Sequence, residues 1–259
     1  MEVSSRIENW FTQGFYEARV KDYFLINIKW WQLALILSVY NLAAAYGPAF
    51  VKKRNYDFRP YMLVLAGLQF GVYGVGIPIM LWLTQFGTIA WECSMPQHHP
   101  FLQEVFIRLG YTYLWLKIAD ISTTIVMILR QKPNQNPLEH SIRNSVLLLV
   151  TFFGVKMFPK GYFMFLPSTD CLLSAFRACY YVLAAPGTAF KHHLWFKKYI
   201  YWLALLMGLL NFGHMYRHIT KGCAGPSSIM FVILFHNLGE IVISLKHIAQ
   251  SVSKPHKVE

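Results

Sequence analysis

The sequence predicts an all-α polytopic membrane protein with seven transmembrane helices, and three observations carry that expectation. First, 55% of its 259 residues are hydrophobic and only 14% are charged, a balance too apolar for a soluble domain of this length. Second, apolar stretches long enough to cross a hydrocarbon core, about 20 residues as helix, recur at seven places. Third, basic residues gather in alternate loops between them.

Residues 1–30 form an N-terminal segment, the first 23 of them polar and amphipathic. They lack the basic start and apolar block of a cleavable signal. The first span is expected at 31–51, followed by Lys52, Lys53, Arg54 and Arg59. The second, at 61–82, contains Gly71, Gly74, Gly76 and Pro78, which suit close helix packing or a kink. The third, at 105–129, leads into Arg130 and Lys132; the fourth is expected at 144–163 and a shorter fifth at 169–183. Lys191, Lys197 and Lys198 precede the sixth span at 199–216, and the seventh occupies 229–248. Residues 31–250 thus form the membrane domain, and 251–259 a tail carrying Lys254 and Lys257. By the positive-inside rule these four basic regions are cytosolic and the N-terminus is lumenal, although Arg6, Arg19, Lys21 and Lys29 count against the bias.

Polar residues inside the spans should face the bundle interior. Asn136 suits an N-cap, Pro137 the first helical position, and Glu139 can complete a capping box. His140, Arg143 and Asn144 then share one helix face, at i, i+3 and i+4. Lys117, Asp120 and Thr124 share a face of the preceding helix, which runs the opposite way, so both faces should line one cytosol-facing cavity. The structural alternative is a buried Lys117–Asp120 ion pair, with Arg177 paired to Asp170 or Asp120 and Glu240 to Lys117. His214 and His218 also share a face, but a zinc pair there lacks an evident third ligand. No glycine-rich phosphate loop or Walker lysine is present. The net charge of +12 is accounted for by anionic headgroups or CoA phosphates and calls for no nucleic acid.

The run K-I-A-D-I-S-T-T-I-V-M-I-L-R-Q-K-P-N-Q-N-P-L-E-H-S-I-R-N, from Lys117 to Asn144, resembles the signature of the very-long-chain fatty acid elongases, K-x-x-E-x-x-D-T, a helix exit like L-R-K-K, and Q-x-x-F-L-H-x-x-H-H. Lys117, Thr124, Leu129, Arg130, Lys132, Gln135, Leu138 and His140 keep register. Asp120 replaces the glutamate, Thr123 the aspartate, and Arg143 and Asn144 the last two histidines. In the fifth span D-C-L-L-S-A-F-R-A-C-Y-Y is similar to N-x-x-x-H-x-x-M-Y-x-Y-Y: Tyr180 and Tyr181 match, while Asp170 replaces the asparagine, Ser174 the histidine and Arg177 the methionine. In the sixth, K-K-Y-I matches K-K-Y-L, but Ala204 and Met207 replace two glutamines. His214, Asn237 and the G-P-A-F-V-K-K-R run agree with weaker family positions, and the likeness extends in order over about residues 40–250.

This resemblance implies an endoplasmic reticulum protein with six helices around an acyl-chain tunnel. The family condenses malonyl-CoA with long-chain acyl-CoA to 3-oxoacyl-CoA, with no bound cofactor or metal. It also implies a lumenal disulfide between Cys93 and Cys223, with Cys171 and Cys179 as packing residues. His140 is then the remaining catalytic candidate, and Lys117, Asp120, Thr124, Gln135, Arg143, Asn144, Ser174, Arg177, Tyr180 and Tyr181 form the substrate-binding set. Arginine stays protonated and asparagine has no basic nitrogen, so neither can replace an imidazole as nucleophile or base. The expectation is weak or absent condensation, or, alternatively, a non-catalytic acyl-CoA- or lipid-binding protein, which could be a regulatory subunit paired with other elongase-cycle enzymes or a homo- or hetero-oligomer.

Overall fold

The computed structural model describes residues 20, 23–51, 58–85, 88–91, 100–130, 136–157, 161–185, 196–223 and 227–253. Among them are seven long helices and no strand. These are α1 (Trp30–Phe50), α2 (Arg59–Leu83), α3 (Pro100–Arg130), α4 (Pro137–Met157), α5 (Phe165–Ala184), α6 (Lys197–Thr220) and α7 (Ser227–Ser253). Two short 3-10 helices, Ile89–Trp91 and Gly161–Met164, pack against each other.

The helices α2 to α7 form a ring. Around it, α2 packs on α3, α3 on α4, α4 on α7, α7 on α6, α6 on α5, and α5 closes back onto α2. Outside the ring, α1 leans on α4 and α3. Small residues set some of the spacings: a Cβ on Gly208 would lie 3.0 Å from Ile241 Cγ1, and one on Gly110 the same distance from Val155 Cγ2. Glycine at these two positions lets α6 approach α7, and α3 approach α4, more closely than any other residue would.

Burial is inverted relative to a water-soluble protein. Outward faces carry Leu35, Ile36, Val39, Leu68, Val72 and Val75 in the open, whereas Lys117, Asp120, Asn144, Asp170, Asn211 and Asn237 are buried. Hydrocarbon tolerates the first group and excludes the second, so the outer surface is dressed for lipid. Four segments, Trp30–Phe50, Arg59–Leu83, Phe101–Arg130 and Ser228–Ser251, are long and apolar enough to cross a membrane. The other three helices carry charged residues in their lengths, including Arg143, Asp170, Arg177 and Lys197.

Two expectations need correction. The fourth helix starts at Pro137 and ends at Met157 rather than spanning 144–163, and Phe163 belongs to the following 3-10 helix. The start follows from the cap, because the Glu139 N–H donates to Asn136 Oδ1 at 3.3 Å. Gly71, Gly74 and Gly76 make no close packing: nothing lies within 4 Å of a Cβ built on any of them, and Gly71 and Gly76 border an outward apolar groove. Among the expected basic loop residues, Lys52, Lys53, Arg54, Lys132, Lys191, Lys254 and Lys257 lie outside the described residues.

Candidate functional site

Inside the ring, helical spacing converts the polar sequence positions into one ionised network. On α3, Lys117 and Asp120 are three residues apart, and Lys117 Nζ donates to Asp120 Oδ2 at 2.9 Å. The same ammonium donates across the ring to Asp170 Oδ2 on α5 at 2.5 Å. Each carboxylate receives a phenol as well: Tyr73 donates to Asp120 at 2.7 Å and Tyr113 to Asp170 at 2.6 Å. Gln69 Nε2 donates to Asp120 Oδ1 and Thr123 Oγ1 at 2.9 and 2.8 Å. Lys117 is only 1% exposed, and its Nζ lies 5.1 and 5.0 Å from the Tyr73 and Tyr113 ring centroids. Its desolvation is offset by two carboxylates and two aromatic faces.

Next to this network, His140 is held on its Nδ1 side. Thr124 Oγ1 lies 2.7 Å from Nδ1, and Tyr40 OH of α1 lies 2.5 Å from the same Thr124 oxygen. Asn144 Nδ2 stands 3.4 Å from Nδ1. Where Nδ1 accepts from the amide and the hydroxyl, the imidazole proton lies on Nε2. Asn41 meanwhile donates to Ser145 Oγ and accepts from Ser141, each at 2.9 Å, so polar bonds fasten α1 to α4 beside His140.

Further along the interior, Arg143 of α4 and Arg177 of α5 flank Glu240 of α7, with Nε and Nη2 each 3.6 Å from a carboxylate oxygen. They border a cavity of about 340 Å³ that also meets Arg130, Lys197, His140, Tyr180, Tyr181 and Tyr201. Four cationic side chains and two carboxylates, Glu139 and Glu240, line it. Its other wall holds His247, stacked on Tyr201 with centroids 4.6 Å apart and 3.3 Å from Glu139 Oε1. The arrangement is a basic, partly aromatic pocket suited to phosphate or carboxylate.

The structure brings together most of the expected set. Lys117, Asp120, His140, Arg143, Asn144, Ser174, Arg177 and Tyr181 border a small polar cavity between the two charged groups. Thr124 reaches it only through His140. Ser174 points its hydroxyl at Asp170, 3.5 Å away. Tyr180 lies on the larger cavity, with Lys197 Nζ 5.8 Å above its ring. Gln135 lies outside the described residues. The expected Lys117–Asp120 pair is present, while the other expected pairings change over: Asp170 pairs with Lys117, and Glu240 with both arginines. Tyr40, Gln69, Tyr73 and Tyr113 escape sequence reasoning, because a lone polar side chain in an apolar helix shows no period that reveals its partner.

At the opposite end of α6, His214 Nε2 and His218 Nε2 lie 2.7 and 3.3 Å from the Ala90 carbonyl oxygen and 3.0 Å from each other. His218 Nδ1 lies 2.9 Å from Cys223 Sγ. Cys223 is in a disulfide, and Cys171 and Cys179 are free. Cys93, its expected partner, lies outside the described residues.

A ring of helices with lipid-facing exteriors and a buried ionised interior defines a multi-pass membrane protein whose chemistry is enclosed by the bundle. The chain belongs to the GNS1/SUR4 family, whose model matches residues 25–254. It is 24% identical over 228 residues to a very long chain fatty acid elongase of Aedes aegypti, covering 85% of this chain but 62% of that relative. It is 23% identical over 234 residues to very long chain fatty acid elongase 1 of Homo sapiens, covering 88% and 83% respectively. To elongase 4 of Macaca mulatta it is 24% identical over 251 residues, covering 95% and 79%.

Proposed function

We propose that this protein acts in very-long-chain fatty acid metabolism of the endoplasmic reticulum membrane by binding long-chain acyl-CoA, with condensing activity weak or lost. Seven spans with a lumenal N-terminus would bring the basic cavity to the cytosol, where CoA is found, and the helix ring would enclose the acyl chain. The observation that carries the reading is the identity and pairing of the groups around His140. Arg143 is engaged with Glu240, Asn144 addresses His140 Nδ1, and the Ser174 hydroxyl is turned to Asp170. None of the three offers an unprotonated basic nitrogen, and a His140 that accepts at Nδ1 carries its proton on Nε2, where it is a donor rather than a base. Arg130, Arg143, Arg177 and Lys197 suit the phosphates of CoA.

A second reading, a diverged condensing enzyme, is favoured by His140 itself, which is retained and borders both polar cavities. Reconstitution with labelled malonyl-CoA and a long-chain acyl-CoA tests the choice. The wild-type chain should make little 3-oxoacyl-CoA above background while binding acyl-CoA saturably. A variant carrying Arg143→His, Asn144→His and Ser174→His should gain product. Turnover by the wild type at a rate comparable to elongases with intact histidine boxes would establish the second reading instead.

A further inference from the structure

Between α4, α5, α6 and α7 lies a cavity of about 30 Å³ bordered by Arg143, Asp170, His236, Asn237 and Glu240. Two hydrogen-bond donors there, Arg143 Nε and Asn237 Nδ2, are buried and make no hydrogen bond with the described residues. Asn237 is only 2% exposed. Buried donors left unmet are costly, so the space calls for a partner.

The charges around the cavity constrain that partner. Lys117, Arg143 and Arg177 stand against Asp120, Asp170 and Glu240, three cations to three carboxylates. An added ion of either sign would be a buried charge without a counter-charge, whereas a neutral ligand leaves the balance intact. Acceptors stand beside the two donors, so the ligand has to donate as well as accept. The bonds that Asp170 receives from Lys117, Tyr113 and Ser174 all end on Oδ2, which leaves Oδ1 to another donor. Glu240 Oε1 lies 3.6 Å from Arg143 Nε, beyond good hydrogen-bond distance. Thr169 and Asn211 are turned to each other, with Asn211 Nδ2 donating to Thr169 Oγ1 at 2.8 Å. A water molecule needs roughly 10–15 Å³ of such volume and several polar partners, so the cavity has room for about two.

We infer that two buried water molecules occupy this cavity, accepting from Arg143 Nε and Asn237 Nδ2 and donating to the carboxylates of Asp170 and Glu240. Water serves either orientation of the Asn237 amide, because it donates as readily as it accepts. Arg143, Ala204 and Glu240 border the larger cavity as well. The pair therefore carries the hydrogen-bonded interior one helical turn deeper along α7, from Glu240 to His236. The His236 imidazole thereby gains a route for proton exchange with the larger cavity, whatever ligand that cavity takes.

Water-edited solid-state NMR of the uniformly isotope-labelled full chain in proteoliposomes tests the assignment. Magnetisation from water should reach Asn237 Nδ2, Arg143 Nε and the His236 ring at mixing times close to those of the exposed Arg108 Nε. It should reach the amide of Ile233, a fully buried residue one turn away on α7, only much later. Asn237→Leu keeps the volume, removes one donor and releases one of the two waters, so transfer to Arg143 Nε should fall about twofold. If that variant loses the wild-type melting midpoint, the wild-type measurement decides alone. Transfer to Asn237 Nδ2 or to the His236 ring as slow as to Ile233, arrival there of lipid-chain instead of water magnetisation, or unchanged transfer to Arg143 Nε in a folded Asn237→Leu protein would overturn the inference.

Discussion

Replacing Lys117 by methionine removes the cation that Asp120 and Asp170 share while keeping most of the side-chain volume. Lys117 is 1% exposed and its Nζ contacts carboxylate oxygens at 2.9 and 2.5 Å, so no solvent stands ready to replace it. The variant leaves two buried carboxylates with Tyr73, Tyr113, Gln69 and the more distant Ser174 hydroxyl as donors. Removing one partner from a buried ion pair costs about 3–5 kcal/mol. For a chain of this size each kcal/mol moves the midpoint by about 2–4 °C, giving a fall of roughly 6–20 °C. Intrinsic tryptophan fluorescence during heating of the purified protein in detergent would measure it. Adding Asp120→Asn and Asp170→Asn to the Lys117→Met background removes both stranded charges and should recover most of the loss. The reasoning is refuted if Lys117→Met melts within about 2 °C of wild type, or if the triple variant is no more stable than the single one.

Tyr40→Phe removes one hydroxyl from the Tyr40–Thr124–His140 series and should cost about 0.5–1.5 kcal/mol; a Thr124→Val variant should cost at least as much, and melting curves of the two check the order. Cys223→Ser should lower stability by about 2–5 kcal/mol. Alkylation of the denatured wild type without reductant should label two thiols, Cys171 and Cys179, and peptide mapping should place Cys93 opposite Cys223; recovery of Cys93 as a free thiol would exclude that pairing.

Legibility in the sequence followed how each feature is encoded. Six of the seven helices lie close to their apolar windows, and four segments are long and apolar enough to cross a membrane. The fourth was shifted because its first two turns, Pro137 to Asn144, are mostly polar, and the cap at Asn136 located its start better than hydropathy did. The convergence of His140, Arg143 and Asn144 with Lys117 and Asp120 was readable from i, i+3, i+4 spacing on neighbouring helices. The Lys117–Asp120 pair was readable from the same spacing, but which carboxylate meets which cation across the ring was not, since that pairing depends on helix rotation and depth. Thus Asp170 went to Lys117 and Glu240 to the arginines. The Gly71 and Gly76 groove shows the same gap from the other side: small residues permit close packing, but only the neighbour's position decides whether it happens.

The polar fastening of α1 has a consequence for biogenesis. Asn41 finds Ser145 across 104 positions of chain, and Tyr40 finds Thr124 across 84. At synthesis rates of about 5–20 residues per second, the first helix waits several seconds before its docking partners emerge. During that interval an amide and a phenol sit in or beside lipid without their final bonds, so the nascent helix depends on a holding partner at the insertion machinery, or on a shallow position near the headgroups, until the fourth helix arrives to receive it.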